Sequence, residues 1–336
     1  MWFNLIKLFD VTLRDGNHAL KHSIGLDFIE KYCRIADKIG IWAIEVGHGN
    51  GLGASSFLVG KSKYADLEMI EKARNNLIST KLSVHSIPGF ATINNHLKPA
   101  LNLGVDIVRV ATHVTEANTG RKHIEFLKTQ GVIVQGVLMM SHMATINQLV
   151  EQCKLLENYG ADAVVLMDSA GVFDAQGLSE RLRAIKENIG LEFGIHAHNN
   201  LGIGVANALT GVDLGANIID GATMELGAGA GNAQLEAIIT NLVRRNEFKA
   251  NFNDLFELSE LVEKTYYEFL PRTTVDSILS GHHGVFSGYA PLVKNLSIEF
   301  SVSRPKLWEI IGEKNLVAGQ ETVLREIAQE LKRKNG

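Results

Sequence analysis

The sequence has few of the residues that mark secreted, membrane-embedded or nucleic-acid-binding proteins. Its 336 residues include only two cysteines, Cys33 and Cys153, which are too few for a disulfide framework and lack the paired spacing of a zinc or redox motif. Prolines number five, and no apolar run approaches the roughly 18 residues of a membrane span. Basic residues (33) do not exceed acidic ones (37), so no surface for nucleic acid is expected.

Targeting signals are also missing from the sequence pattern. The segment Met1–Lys7 is too short for a signal-peptide core and lacks a small-residue cleavage site. The basic cluster Lys332–Lys334 is interpreted as a solvated tail. With 46% hydrophobic residues, the chain is predicted to be a folded cytoplasmic protein.

What the sequence does contain is a repeat of short apolar strands, each followed by a helical stretch. Runs such as Val164–Met167 are continuously apolar, which is typical of strands buried on both faces. Eight such units in about 245 residues predict an α/β fold, the TIM (β/α)8 barrel. A doubly wound sheet is the alternative, but it usually needs only six strands, and no Gly-x-Gly-x-x-Gly follows the first strand. The predicted strands are Lys7–Leu13, Ala43–Val46, Lys81–His85, Asp106–Ala111, Val132–Met139, Ala163–Met167, Glu192–His196 and Asn217–Asp220.

The C-terminal quarter has a different pattern, which is entirely helical from about Phe252. We therefore predict a barrel domain over residues 1–250 and a C-terminal all-helical extension over residues 251–336. Because no low-complexity linker joins the two, the extension is expected to pack on the barrel.

Two polar strand ends carry the candidate chemistry, since functional side chains of this fold lie at the carboxyl ends of strands. Arg14, Asp15 and His18 follow the first strand; they either face a cavity or form a surface loop with a local ion pair. His196 and His198 are two residues apart on a strand and share a face, which favours metal ligation.

Asp15 would complete a site of two nitrogens and one oxygen with these histidines. Such a set suits borderline or harder divalent ions, and without thiolates a structural zinc is not expected. A non-haem iron oxygenase is an alternative for this ligand set.

Other strand ends leave two readings open. Gly227–Asn232 is either a weak phosphate cradle or a tight loop where backbone approaches a ligand. Asp168 and Ser169 offer either a hydroxyl to a ligand carboxylate or a cap at a helix entry. Further histidines near strand ends are interpreted as lining or structural residues: His48, His85, His113 and His142.

These segments together resemble the metal-dependent lyases and synthases built on a TIM barrel. Asp10–Gly16 and His196–His198 carry that resemblance. Within the superfamily the chain resembles the 4-hydroxy-2-oxovalerate aldolase family through segments that occur in the same order: Ile44–Leu52, Arg109–His113, Leu138–His142, Gly204–Asn207, Gly227–Asn232 and Gly319–Glu321.

The resemblance implies a class II pyruvate aldolase, which cleaves a 4-hydroxy-2-oxo acid such as 4-hydroxy-2-oxopentanoate to pyruvate and an aldehyde through a metal-bound enolate. It implies that Asp15, His196 and His198 bind Mn²⁺, or alternatively Mg²⁺ or Co²⁺. His18 would be the general acid or base, and Arg14 would stabilise the enolate. The implied substrate contacts are Arg14, Asp15, Ser169, His196 and Phe286. An acyl-CoA Claisen-type synthase or lyase of the same superfamily and a catalytically silent barrel subunit stay open as alternatives.

The sequence departs from the family pattern at Phe286, where the aldolases usually carry a tyrosine that lines the aldehyde side of the pocket. Either the hydroxyl is dispensable, or Tyr289, His282 or His283 replaces it and the acceptor aldehyde differs. The resemblance also implies a partner, an acylating aldehyde dehydrogenase, which would dock on the helical C-terminal region. A structural role for that region as a cover of the pocket is the alternative.

Overall fold

A computed structural model describes residues 6–317 and 319–335 of the chain. Eight parallel strands pair in sequential order, and the pairing of β8 with β1 closes the barrel that the sequence predicts. The segment Met1–Leu5, on which the localisation prediction partly rests, lies outside the described residues. The strands are β1 (Lys7–Asp10), β2 (Ala43–Glu45), β3 (Lys81–Ser86), β4 (Ile107–His113), β5 (Ile133–Met139), β6 (Ala163–Asp168), β7 (Glu192–Ala197) and β8 (Ile218–Gly221).

Helices cover the outside of the barrel, as expected for parallel strands that are buried on both faces. Their ends follow local rules: Thr145 and Gln148 form a reciprocal capping box at the start of α6, and Gly215 ends α8 with φ +99°. The helices around the barrel are α1 (Gly16–Ala19), α2 (Leu26–Ala36), α3 (Asp66–Arg74), α4 (Lys98–Asn102), α5 (Arg121–Thr129), α6 (Ile146–Asn158), α7 (Ala175–Asn188), α8 (Gly204–Leu214), α9 (Leu235–Arg244) and α10 (Phe252–Tyr266). Among the described residues, no helix is both long and apolar enough to cross a bilayer.

Strand β1 ends at Asp10, three residues before the predicted end at Leu13. The Asp10 carboxylate accepts hydrogen bonds from the backbone and hydroxyl of Thr12, at 2.9 and 2.6 Å. The Val11 carbonyl then accepts from the backbone N–H groups of Arg14 and Asp15, at 3.1 and 2.8 Å. This turn leads directly into α1, so the first polar strand end becomes a short helix rather than an extended loop.

The interior of the barrel changes from apolar to charged along three of its strands. Ile107 and Ile218 belong to the apolar interior, and the residues two positions further on are Arg109 and Asp220. Ala43 and Glu45 repeat this order on β2, and all three charged residues are at most 1% exposed. Because residues two apart share a face of a strand, the charges point into the barrel.

The C-terminal region forms a second hydrophobic core of its own, which runs from Val285 to Leu331. Helix α10, by contrast, buries Leu255, Leu258 and Val262 in the main core with the barrel. This packing favours a boundary between α10 and α11 over the predicted one at residues 250/251. The helices of the second unit are α11 (Val275–His282), α12 (Ala290–Phe300), α13 (Arg304–Glu313) and α14 (Glu321–Asn335).

Candidate active site

Asp15, His196 and His198 converge at the carboxyl end of the barrel. Asp15 precedes α1, His196 lies in β7 and His198 follows that strand directly. One ligand atom from each lies within 4.8 Å of the other two, and all three side chains are buried. The two imidazole Nε2 atoms are 3.3 Å apart. The strand-end rule and the two-residue spacing of the histidines therefore predicted that these side chains, about 180 residues apart in sequence, lie close together.

His196 is oriented by a buried carboxylate on the neighbouring strand. Its Nδ1 lies 2.8 Å from Asp220 Oδ2, so this carboxylate holds the ring with Nδ1 toward β8 and Nε2 toward His198. Asp220 also accepts two hydrogen bonds from Arg109, at 2.5 and 2.7 Å. Burial opposes ionisation of Asp220, but Arg109 outweighs it and lowers the pKa of this carboxyl.

Asp15 is held from two sides. Its Oδ1 accepts from Arg14 Nη1 at 2.6 Å, and its Oδ2 accepts from Asn232 Nδ2 at 2.8 Å and from the Ala228 N–H at 3.2 Å. Although burial opposes ionisation, Arg14 and the nearby histidines keep the pKa of Asp15 well below its usual range. A Cβ on Gly227 would lie 2.7 Å from Asp15 Oδ2, so the glycine-rich loop approaches the proposed ligand closely. This contact supports the tight-loop reading of that segment.

Arg14 lies beside this carboxylate with one donor free. Its Nε donates to Glu45 Oε1 at 2.6 Å, and its Nη1 also donates to the Gly49 carbonyl at 3.3 Å. Nη2 is buried and has no hydrogen-bond partner among the described residues. A buried guanidinium N–H without a partner is costly, so this donor is available for an oxygen atom of a bound ligand.

His18 lies on α1, one turn after Asp15, and is partly buried. Burial lowers its pKa to about 4, although the Asp15 carboxylate opposes the shift. The imidazole is therefore neutral near pH 7 and able to accept a proton.

The arrangement fits a divalent cation by its donor chemistry. One carboxylate and two imidazoles match the ligands of borderline divalent ions. Burial lowers the pKa of His198 to about 4, so this ring is in the neutral form that binds metals. The Nδ1 atom of His198 is also buried and has no hydrogen-bond partner among the described residues. It is therefore available to bind a ligand or a water molecule.

Ser169 and Asp168 have structural partners at the end of β6. The Ser169 hydroxyl accepts a hydrogen bond from the Met140 N–H at 2.9 Å, and its proton remains free to donate. Asp168 accepts from the backbone N–H groups of Val172 and Phe173, at 2.9 and 3.1 Å, in the turn that precedes α7. The N-cap of that helix is Asp174, so the helix-cap interpretation of Asp168 is wrong. Burial raises the pKa of Asp168 to about 6.

The segment before Phe286 lies against the loops at the carboxyl end of the barrel. Asn200, which follows β7, donates to Ser280 Oγ at 2.8 Å and to Ser287 Oγ at 2.6 Å. His142, after β5, lies 2.9 Å from the Gly284 carbonyl. These contacts place part of the helical region over the barrel mouth, as a cover would require.

Phe286 itself is half-buried, and its ring packs edge-to-face on Tyr289 at 6.0 Å. The Tyr289 hydroxyl donates to the Val317 carbonyl in the second core. That hydroxyl is therefore engaged away from the barrel, which argues against Tyr289 as the replacement for the missing tyrosine. His282 is exposed, and its ring contacts His283.

The sequence interpretation missed the residues that support the ligands. Arg109 was noted only within a family motif, and Glu45, Asp220 and Asn232 were assigned no role. For Glu45, Arg109 and Asp220 the signal was a single charged residue in an otherwise apolar strand, as in Ile107–His113. Asn232 is an uncharged loop residue and gave no such signal. Such a charge is rarely buried unless it is paired, so three of them at matching strand depths indicate an internal ion-pair network.

Comparisons with known proteins agree with this geometry. The HMGL-like family model matches residues 5–262, and the DmpG-like communication domain model matches residues 271–333. The chain is 44% identical to the 4-hydroxy-2-oxovalerate aldolase of Spirochaeta aurantia over 97% of this chain and 96% of that protein. It is 40% identical to the enzyme of that name from Pectobacterium atrosepticum over 98% of this chain and 96% of the relative.

A likeness in fold extends to more distant structures. The carboxyl transferase domain of Rhizobium etli pyruvate carboxylase superposes with a TM-score of 0.81 at 15% identity, covering 99% of this chain and 62% of that one. The barrel and its site thus define a protein of the HMGL-like class of carbon–carbon lyases and related enzymes. Within that class, the chain belongs to the 4-hydroxy-2-oxovalerate aldolase family, as the sequence resemblance predicted.

Proposed function

We propose that this chain is a divalent-metal-dependent aldolase that cleaves a 4-hydroxy-2-oxo acid, such as 4-hydroxy-2-oxopentanoate, to pyruvate and an aldehyde. The observation that carries the proposal is the convergence of Asp15, His196 and His198 beside the free Nη2 donor of Arg14. The names of relatives that are 40–44% identical over nearly the whole chain support the same substrate.

Asp15, His196 and His198 would hold the cation, for which we propose Mn²⁺, with Mg²⁺ and Co²⁺ as alternatives. When bound, a divalent cation supplies Lewis-acid polarisation of the substrate ketone. The orientation of His196 by Asp220 keeps one ligand nitrogen aimed at the site without the substrate present.

Arg14 and His18 would carry the remaining chemistry. His18, neutral near pH 7, takes the proton of the 4-hydroxyl group as the bond between C3 and C4 breaks. The electrons of that bond move to the C2 oxygen, where Arg14 Nη2 donates a hydrogen bond to the developing negative charge. Transfer of the proton held by His18 to C3 then gives pyruvate, and the aldehyde leaves. Ser169 and Phe286 would line the substrate.

Pyruvate formation from 4-hydroxy-2-oxopentanoate, measured with and without EDTA, tests this function. We expect EDTA to abolish activity and Mn²⁺ to restore it. Asp15→Asn should lose activity together with bound metal, whereas Asp168→Asn, a buried carboxylate that caps a turn, should retain bound metal. Activity that is insensitive to EDTA would exclude the metal-dependent reaction.

We further propose that residues 271–333, which match the DmpG-like communication domain, dock an acylating aldehyde dehydrogenase that receives the aldehyde. The separate core of this region supports a unit that is built for contact with a second protein. Covering of the barrel mouth by the Ser280–Ser287 segment is compatible with that role, because an aldehyde would leave the site through this region.

Truncation after residue 270 tests the docking proposal. This cut removes the second core entirely and keeps α10, whose side chains belong to the barrel core. The truncated chain, if it still unfolds cooperatively and keeps its bound metal, should no longer co-purify with a co-expressed aldehyde dehydrogenase. Unchanged association of a folded truncated chain would refute docking through this region.

A further inference from the structure

Two histidines without an assigned role lie beside the proposed base. His22 follows α1 and His48 follows β2, and their rings stack at 3.6 Å with an interplanar angle of 15°. The His18 ring meets the His22 ring edge-to-face at 5.2 Å. His22 is 7% exposed and His48 is fully buried, so neither ring is a solvated surface side chain.

Each stacked ring accepts a hydrogen bond from the loop after β2. Gly49 N–H donates to His22 Nδ1 at 3.3 Å, and Asn50 N–H donates to His48 Nδ1 at 3.0 Å. His48 Nε2 donates in turn to the Gly60 carbonyl at 3.0 Å. A ring that accepts at Nδ1 must be neutral, and burial lowers the pKa of His22 to about 3. The two neutral rings therefore connect Gly49 and Asn50, at the start of this loop, to Gly60 further along it.

The backbone at His22 adopts a conformation that non-glycine residues rarely take. Lys21 has a φ of +51° and His22 has a φ of +58°. The His22 ring also lies against Gly60, where an added Cβ would come within 2.6 Å of the ring atom Cδ2. Strain of this kind persists only where surrounding contacts impose it, and it is concentrated at functional sites.

Gly49 links this stacked pair to the two residues proposed to do the chemistry. Its carbonyl accepts from Arg14 Nη1 at 3.3 Å, while its N–H donates to His22. The His18 ring lies directly on its Cα, since an added Cβ would fall 2.6 Å from His18 Nε2. One glycine thus contacts the proposed enolate-stabilising arginine, the proposed base and the His22 ring.

We propose that His22 and His48 are positioning residues, which fix Gly49 so that Arg14 directs its Nη2 donor and His18 its imidazole toward the substrate. This inference rests on the roles proposed above for Arg14 and His18. A shift of about 1 Å in such groups is enough to lower a rate by about a hundredfold.

The test uses a pair of substitutions that separates hydrogen bonding from packing. H22F keeps an aromatic ring against His48 but leaves the Gly49 N–H without its acceptor. H22N loses the ring but retains an acceptor atom at the Nδ1 position, and asparagine tolerates a positive φ. We measure kcat and KM for 4-hydroxy-2-oxopentanoate, bound metal per chain and the thermal midpoint.

We expect H22F to lower kcat by about ten- to a hundredfold, with KM and bound metal within about a factor of two of the parent protein. H22N should recover most of kcat although it loses the stacking. H123F is the matched control. His123 lies on the outer helix α5 and its Nε2 bonds the Ala91 carbonyl at 3.1 Å, so this variant should lose thermal stability without losing kcat.

The proposal is overturned if H22F keeps kcat within about a factor of two of the parent. It is also overturned if H22F and H22N lose kcat equally and if each loss matches the fall in the thermal midpoint of that variant. That result is expected if His22 only stabilises the fold. If H22F does not fold, the pair H48F and H48N is read by the same criteria. R14K, measured in the same series, distinguishes failure of this proposal from failure of the proposed function. If R14K loses activity but H22F keeps it, only the positioning role of His22 is refuted. If R14K keeps full activity, the proposed role of Arg14 is refuted.

Discussion

Replacing Asp220 by asparagine should weaken metal binding through a residue that does not touch the metal. The Asp220 carboxylate lies 2.8 Å from His196 Nδ1 and pairs with both terminal nitrogens of Arg109. Asparagine has nearly the same volume but carries no charge, so the change removes the electrostatic partner of both neighbours while leaving the packing intact. His196 then loses the group that fixes its tautomer and ring orientation.

We expect the substitution to lower both the metal affinity and the free energy of unfolding. Loss of a carboxylate partner of a ligating histidine lowers metal affinity by about ten- to a hundredfold. Breaking a buried ion pair costs about 3–5 kcal/mol in unfolding free energy. We expect the lower end, about 3 kcal/mol, because Arg109 keeps its hydrogen bond to Gln135 and lies 3.8 Å from Glu45 Oε2.

Asp10→Asn is the matched control for this prediction. Asp10 is also buried and lies on β1, which pairs with β8, but its carboxylate bonds Thr12 and Tyr32 rather than a proposed ligand. Urea unfolding of the metal-free proteins measures the free energy of unfolding, and titration with Mn²⁺ against a competing chelator measures the affinity for Mn²⁺. Equal Mn²⁺ affinity in the Asp220 and Asp10 variants would refute the account of His196 orientation.

Three further predictions concern residues near the carboxyl end of the barrel. Gly227→Ala places a Cβ 2.1 Å from Asn232 Nδ2 and should reduce bound Mn²⁺. Gly25→Ala should not, because no atom lies within 4 Å of a Cβ at this position and its φ is −84°. Equal metal content of the two variants by elemental analysis would contradict this prediction. Phe286→Tyr should change the ratio of kcat/KM values across a panel of aldehydes in the condensation direction, and an unchanged ratio would show that this position does not face the acceptor. His142 has its pKa lowered to about 4 by burial, so the unfolded chain, with a histidine pKa of about 6.5, takes up the proton first as the pH falls. The unfolding free energy should therefore drop between about pH 6.5 and pH 4 in the parent protein and drop less in His142→Phe, as urea titrations at both pH values would reveal.

Much of the barrel could be predicted because its signals are local. Buried parallel strands are continuously apolar and are separated by amphipathic helices, so all eight strands could be located before their partners were known. The proposed metal ligands followed from two general rules, the strand-end rule and the two-residue period of a strand, applied to Asp15, His196 and His198.

What could not be predicted depends on contacts between distant segments. Helix α10 is amphipathic like α14 after it, and the burial of Leu258 and Val262 against the barrel assigns it to the first core. The bounds of helix α11 within the helical C-terminal region could not be predicted, because its buried residues are Ser277, Ser280 and Gly281, which form no apolar stripe. The partners of these side chains, such as Asn200, come from a loop about 80 residues earlier in the chain.

The partners of the ligands were hidden for the same reason. Asp220 was visible as a charge at the end of an apolar strand, but its pairing with Arg109 joins β8 to β4 across the barrel interior. A buried charge in a sequence indicates that a partner exists without saying which one.

We propose above that Asp15, His196 and His198 bind one divalent cation on which aldol cleavage depends. This dependence is tested by titrating the chelator-stripped protein with Mn²⁺ and measuring bound metal and pyruvate release from 4-hydroxy-2-oxopentanoate in the same samples. We expect the rate to rise in proportion to bound Mn²⁺ and to saturate at one ion per chain. Full pyruvate release by the stripped protein, or stoichiometric metal binding that leaves the rate unchanged, would contradict it.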